Sequence, residues 1–171
     1  SLWKIPSLIT LLNQTKFVFD ITPVTWVRVT FNDRWFFRIP FDQLSPAGKN
    51  RKLRLDKYND YKASLLGEAK RLRFDYPNIG AGIIFCLPMP KKWSKKKKRL
   101  RHGDFHDKRP DLKNLLSAFE DALMAEDKGI AYYTHLGKRW VDSTKGWIEV
   151  TVTDPSRISL APPLEVDNRL I

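Results

Sequence analysis

Pro110-Asp111-Leu112-Lys113-Asn114-Leu115-Leu116-Ser117-Ala118-Phe119-Glu120-Asp121-Ala122-Leu123 is the stretch on which the fold turns. Its apolar residues Leu112, Leu115, Leu116, Phe119, Ala122 and Leu123 recur every three or four positions, so they form one stripe of an α-helix. Proline at the start costs no hydrogen bond there, and an acid in the first turn meets the positive end of the helix dipole. The pattern predicts a helix running from Asp111 to near Ala125, ahead of Gly129. A helix with one apolar stripe needs another layer to bury it.

Segments on both sides can supply that layer. Downstream, Ile130 to His135 reads as a strand, and Trp147 to Thr153 alternates as a second one, with Lys145-Gly146 as the turn before it. Upstream, Ala81 to Leu87 is a nearly continuous apolar run, expected as a buried strand ended by Pro88-Met89-Pro90 and preceded by a break at Pro77 to Gly80. Tyr58, Tyr61, Leu65, Leu66 and Ala69 share one helical face, which predicts a second helix from Leu55 or Lys57 to about Leu72. Near the beginning, Phe17 to Ile21 reads as a strand stopped by Pro23. Trp26 to Phe31 and Trp35 to Ile39 read as a hairpin about Asn32-Asp33, and Pro40 to Asn50 as a loop. The expectation is a single α+β domain, a mixed β-sheet with two main helices packed on it. It divides into an extension at 1–15, the domain at 16–153, and an irregular tail at 154–171 containing Pro155, Pro162 and Pro163.

The 171 residues suit one domain, and 42% apolar residues suffice for a core, which excludes wholesale disorder. The lone Cys86 excludes an internal disulfide and any thiolate-rich zinc site; it is expected in a buried strand, and a reducing, cytoplasmic setting suits it. No apolar run is long enough to span a bilayer, so no membrane partner is expected. Ile5 to Leu12 is apolar but lacks a basic flank and a small-residue cleavage site, so a signal peptide is not expected; this run could pack on a partner chain or on its own core.

Charge says more. The 31 Lys and Arg against 19 Asp and Glu leave +12, a field that attracts polyanions. Between Lys91 and Lys113 stand eleven cations and three Asp, so eight of the twelve net charges lie in 23 residues. Lys91 to Arg101 is expected as a mobile surface loop that gains free energy by releasing counterions from phosphates; the plainer alternative is a solubilising surface. Trp93 within it could stack on a base or brace the loop.

Phosphodiester hydrolysis needs an activated water and a stabilised leaving oxygen, which carboxylate-held Mg²⁺ supplies. The acids near the predicted helix are Asp111, Glu120, Asp121, Glu126 and Asp127. Asp111 and Asp127 flank a helix roughly 21 Å long, so they meet only if the chain doubles back or a partner subunit contributes an acid. The alternative reading is an N-cap and solvated acids. His102 and His106 stand four apart, but Gly103 argues against a helix there, which favours phosphate contact or solvent exposure; His135 falls in a strand. No glycine-rich phosphate loop and no nucleophile elbow occur.

The combination of Leu87-Pro88-Met89-Pro90, a Lys-rich tract with Trp93-Ser94, Lys108-Arg109-Pro110-Asp111-Leu112-Lys113-Asn114-Leu115-Leu116, Glu120-Asp121-Ala122-Leu123 and Glu126-Asp127 resembles the RusA family of Holliday-junction resolvases, crossover junction endodeoxyribonucleases. That family carries K/R-P-D-L-D-N-L-x-K, an Asp-Ala-Leu on the same helix, and an acidic pair before the next strand. Pro23-Val24-Thr25-Trp26-Val27-Arg28 is similar to its early Pro-x-Pro-Trp-x-Arg signature, and Gly137 to Trp140 with Trp147 to Val150 look like its closing strands; the likeness spans about residues 16 to 153.

The resemblance implies a homodimeric, Mg²⁺-dependent (Mn²⁺ also suitable) endonuclease of RusA-like fold. It would nick four-way DNA junctions in recombination and repair, and such proteins are often encoded by phages and prophages. It puts Asp111, Asp127 and Asp121 at catalytic positions, and Asp111, Asp127 and Glu126 about the metal. Arg28, Lys92, Lys95, Lys96, Lys97, Lys98, Arg99, Arg101, Arg109, Lys113 and Asn114 would meet DNA. Two positions depart from the pattern: Lys113 stands where the family has its second catalytic aspartate, and Ser117 where it has a basic residue. An alternative follows, a catalytically impaired branched-DNA-binding protein of the same fold.

Overall fold

Apolar alternation and turn chemistry give this chain four strands, and the computed structural model, which describes residues 14–124 and 129–158, arranges them in one sheet. Strands β1 (Gln14–Phe19), β2 (Ile79–Pro88), β3 (Tyr132–Val141) and β4 (Trp147–Thr153) lie in the order β1-β4-β2-β3. β4 runs antiparallel to both β1 and β2, and β3 runs parallel to β2. β2 is central and mostly buried, which is why its sequence is a continuous apolar run rather than an alternating one. The register stacks Phe19, Ile148 and Phe85 in one row and Phe17, Val150 and Ile83 in the next.

The parallel step from β2 to β3 requires a crossover, and this connection carries α3 (Lys95–Arg101) and α4 (Leu112–Leu123). Earlier come a single turn, α1 (Asp33–Phe36), and the long α2 (Pro46–Leu72). Leu55, Tyr58, Tyr61, Leu65 and Ala69 of α2 pack with Leu115, Ala118, Phe119 and Ala122 of α4 over Phe19, Ile83, Phe85, Leu87, Ile148 and Val150. Phe119 sits at the middle, edge-on to Phe19 at 5.4 Å and to Phe85 at 6.2 Å. The α+β architecture with a mixed sheet is therefore as expected, and Cys86 is buried in β2, where burial pushes its thiol up to about 12.

Several local expectations are corrected. α2 begins at Pro46 rather than at Leu55 or Lys57, because Ser45 caps it, accepting from the Gly48 N–H at 3.1 Å, and Pro46 fits the first helical position. Its first turns are polar, so apolar spacing could not reveal them. Leu66, expected on the buried face, is 46% exposed. β3 runs on to Val141 rather than ending at His135, since β2 pairs with it as far as Pro88. The tract 91–101 is not a loop throughout: Ser94 accepts from the Lys97 N–H at 3.2 Å and starts α3, whose cations fan outward. The run Ile5 to Leu12 lies outside the described residues, as does the tail from residue 159.

The hairpin expected at 26–39 does not form. The Trp26 N–H donates to the Asn114 carbonyl at 3.0 Å instead of to a neighbouring strand, and residues 33–36 make α1. A polar anchor explains it. Asp33, only 2% exposed, accepts from the Thr30 N–H (2.6 Å), the Thr30 hydroxyl (2.9 Å) and Arg51 (2.7 and 2.8 Å). Arg51 also donates to the Arg28 carbonyl at 2.6 Å. The Arg51 hydrogen bonds, then the Thr30 N–H, hold the Asp33 carboxyl far below its ordinary range despite burial. Asp33→Ala removes the buried acceptor of Arg51, whose own side chain is partly exposed, and should lower unfolding free energy in urea by about 2 kcal/mol, the scale of lost charge-assisted hydrogen bonds. The wild type should lose this contribution as pH falls below the ordinary carboxyl value of 3.8, and the variant should show no such loss.

Candidate functional site

Asp111 is the N-cap of α4 by backbone geometry, yet its side chain makes no capping bond and it is exposed. Its carbonyl begins the helix by accepting from the Asn114 and Leu115 N–H groups. What fixes it in space is the loop before it. The Lys138 ammonium donates to the Lys108 carbonyl and, at 2.6 Å, to the Pro110 carbonyl. Strand alternation puts Lys138 on the helix-bearing face of β3, opposite Phe85 and between Leu136 and Trp140, so it points under this loop. The His106 N–H donates to the Lys138 carbonyl at 3.0 Å, while His106 Nδ1 accepts from the Lys108 N–H at 3.2 Å.

His106 is buried rather than solvent-exposed, and it stacks on Trp140 with ring centres 3.6 Å apart. Burial, then the charge of Lys138, lowers its pKa. His102 accepts from the Asp142 N–H at 2.9 Å through Nδ1, so each of these histidines spends a ring nitrogen on backbone. Trp93 braces the fold: it lies 5.0 Å from Trp140 and carries the Lys97 ammonium over its ring at 4.3 Å.

The other acids of α4 lie at its far end. Asp121 is ten residues past Asp111, about 15 Å along the axis. It accepts from the Tyr58 hydroxyl at 2.5 Å and pairs with Lys62 at 3.4 Å. Glu120 accepts from the Tyr133 hydroxyl at 2.5 Å, leaving Tyr133 to accept from Tyr76 at 2.5 Å. Burial first, and then these acids, push the Tyr58 and Tyr133 hydroxyls well above their ordinary range, so both stay protonated and donate. Glu120 and Asp121 border an open cleft of about 680 Å³ with Trp26, Ser117, Met124, Ile130 and Tyr132. Glu126 and Asp127 lie outside the described residues, between Met124 and Gly129 in the chain. Among the described residues no three of His, Cys, Asp and Glu gather into a cluster able to hold a metal.

The expected phosphate-gripping residues are mostly on the surface. Arg28, Lys92, Lys95, Lys96, Lys97, Arg99, Arg109, Lys113 and Asn114 are exposed, and Lys98 and Arg101 are half-buried. Arg101 is drawn toward Asp104 at 3.4 Å. The bond from Trp26 to the Asn114 carbonyl brings the Arg28 segment beside the first half of α4. Lys113 and Ser117, one turn apart on that helix, stand on neighbouring surface.

Among the described residues the Asp111 carboxylate has no ion-pair partner, and exposed cations of the kind around it attract polyanions. The family model for endodeoxyribonuclease RusA matches residues 43–153, about two thirds of the chain, and the chain belongs to that family. No curated protein matches the chain. No helix among the described residues is long and apolar enough to cross a membrane.

Sequence reading overlooked Lys138 as a support for Asp111, because nothing in a strand pattern says which backbone lies above a given side chain. It also overlooked the tyrosines that bind Glu120 and Asp121; buried-face tyrosines near helix acids were the available signal. Lys138→Met should free the 108–110 loop, and tryptic cleavage after Lys108 in the native protein should rise several-fold over wild type. Because His106 binds a proton less readily folded than unfolded, stability should fall as pH drops below about 6.5, and His106→Gln should flatten that slope in denaturant titrations at stepped pH.

Proposed function

We propose that this chain is a structure-selective endonuclease that nicks four-way DNA junctions, acting as a homodimer in DNA recombination and repair. Membership of an endodeoxyribonuclease family supports the reaction class. The single observation that carries the site assignment is Asp111: an exposed carboxylate with no capping bond, at a helix start braced by Lys138 and bordered by Arg109 and Lys113.

Asp111 is a hard oxygen donor and suits Mg²⁺ or Mn²⁺ as one ligand. Asp127 and Glu126 are the remaining donors in this reading, since the described residues by themselves assemble no cluster. Bound there, the ion would lower the pKa of a water and offset charge on the leaving oxygen. The protein's own part is to position. Lys138 holds the Asp111 loop, while Arg109, Lys113, Arg28 and the cations of α3 grip phosphates on either side, largely without reading bases. Asp121, assigned a catalytic place by resemblance, is held by Tyr58 beside the cleft and would act from there on an outer shell. Two such sites related by a dimer two-fold would suit a symmetric junction.

A second reading, a branched-DNA-binding protein with weak or no cutting, is favoured by Lys113. The resemblance puts a carboxylate at that position, where this chain carries an ammonium. At a contact of about 4 Å and an effective dielectric near 20, each unit of charge is worth about 4 kcal/mol, enough to repel a cation. The missing cation at Ser117 is thereby made good one turn earlier for phosphate binding, but not for holding metal.

Incubating the chain with a labelled four-way junction, with and without Mg²⁺ or Mn²⁺, separates the two readings: paired nicks support the nuclease, and retarded, intact junctions support the binder. Lys113→Asp should raise metal-dependent nicking at least tenfold, on the charge argument above. Asp111→Asn should abolish nicking while leaving junction retardation within about twofold. Unchanged cutting in Asp111→Asn would mean that the catalytic acid lies elsewhere.

A further inference from the structure

Aromatic residues usually end in the core, because each buries a large apolar area. Residues 31–41 break that rule. Phe31 is 72% exposed, Trp35 57%, Phe37 49% and Phe41 43%. This segment precedes the part of the chain matched by the RusA family model, which starts at residue 43. The exposure is not that of an unanchored chain. Beneath it lies the Asp33–Arg51 pair, its carboxylate buried and its guanidinium partly exposed, with Thr30 bonded to the same carboxylate and the Arg28 carbonyl bonded to Arg51. These bonds fix the backbone that carries the exposed rings.

Each ring has a cation beside it. Arg34 lies 5.5 Å from the centre of Phe31, Arg38 5.7 Å from Trp35, Lys52 5.4 Å from Phe37 and Lys49 5.6 Å from Phe41. From Arg28 to Arg54 the sequence has seven Lys and Arg against two Asp, and one of those Asp is the buried Asp33. Two occupants compete for such a surface. A second copy of the chain would want its interface core cleared of lysine, and would bring the same cations against these. A single strand of nucleic acid offers what the surface lacks: flat π-faces for the rings and phosphates for the cations.

We infer that residues 31–41 form a stacking platform for unpaired bases of the DNA, with Arg34, Arg38, Lys49 and Lys52 on the adjoining phosphates. The inference rests on the nucleic-acid reading above and adds to it a preference for DNA whose bases are free. The platform is tied to the candidate site. Trp26 is bonded to the Asn114 carbonyl on α4, and Phe31 follows five residues later, at most about 17 Å of chain. Bases unstacked at a branch point would thus be held within reach of the Asp111 end of α4.

The test uses the full chain in EDTA, where no cutting occurs, and measures binding by fluorescence anisotropy to labelled oligo(dT) and to a blunt duplex of equal length. Phe31→Ala and Trp35→Ala should each weaken oligo(dT) binding about tenfold and duplex binding less than about twofold, the signature of lost stacking rather than lost charge. Trp35→Phe, which keeps a ring, should restore most of the affinity, and Leu66→Ala, an exposed apolar residue elsewhere, should change neither. Equal losses on both DNAs, or no loss on oligo(dT), overturn the platform. So does a shift from dimer to monomer in sedimentation with DNA affinity intact, which would assign the rings to a self-interface. The assay needs neither metal nor cleavage, so a chain that fails to nick junctions yet shows the selective loss keeps the platform and rejects only the nuclease reading.

Discussion

The burial of Phe119 against Phe19 and Phe85 is the contact from which the rest of the arrangement follows. A helix carries its side chains at fixed angles, so turning Leu115, Ala118, Phe119 and Ala122 into the sheet settles where every other residue of α4 points. Lys113, Asn114 and Asp121 are exposed because the apolar stripe is not. The same packing decides where the helix begins relative to the strands. Asp111 is therefore delivered beside β3, where Lys138 can reach the carbonyls in front of it.

Polar bonds then refine what apolar packing placed. Three of them join segments far apart in the chain: Lys138 to the 108–110 loop, Arg51 to Asp33, and Tyr58 to Asp121. Each removes a charged or hydroxyl group from free rotation and gives a neighbouring surface a set shape. The pattern is consistent. Among these long-range bonds the buried Asp33 carboxylate and the buried Tyr58 hydroxyl both find partners, while most of the lysines and arginines of 91–113 are left outside. A net charge of +12 with most of these cations exposed presents a strong positive field, and that field acts before any particular contact forms.

Much of this was legible beforehand. The two long helices, the strand at 81–87 and the strand at 147–153 follow from apolar spacing, because burying one face forces a period on the sequence. The charge tract and the Asp111 motif were equally plain. Where the sequence misled, a polar group had won over a propensity. Trp26 to Ile39 has the composition of two strands, but the bonds of the buried Asp33 carboxylate to Arg51, 18 residues away, draw it into a single helical turn and leave its rings in solvent. Lys95 to Arg101 reads as too charged to be ordered, yet one serine cap and the contact of Trp93 with Trp140 accompany two turns of helix.

By itself, then, the sequence determined the α+β class, most of the core-facing residues of the two long helices and of the strand at 81–87, and the sign of the surface field. These depend on local period and summed charge, which a chain carries whatever its conformation. Only the tertiary structure decided that Lys138 supports the Asp111 loop, that His106 is buried against Trp140, that Asp121 belongs to Tyr58, and that the aromatic segment faces outward. Those outcomes join residues tens of positions apart. Their partners are chosen by sheet register and helix rotation, quantities that exist only once the layers have packed.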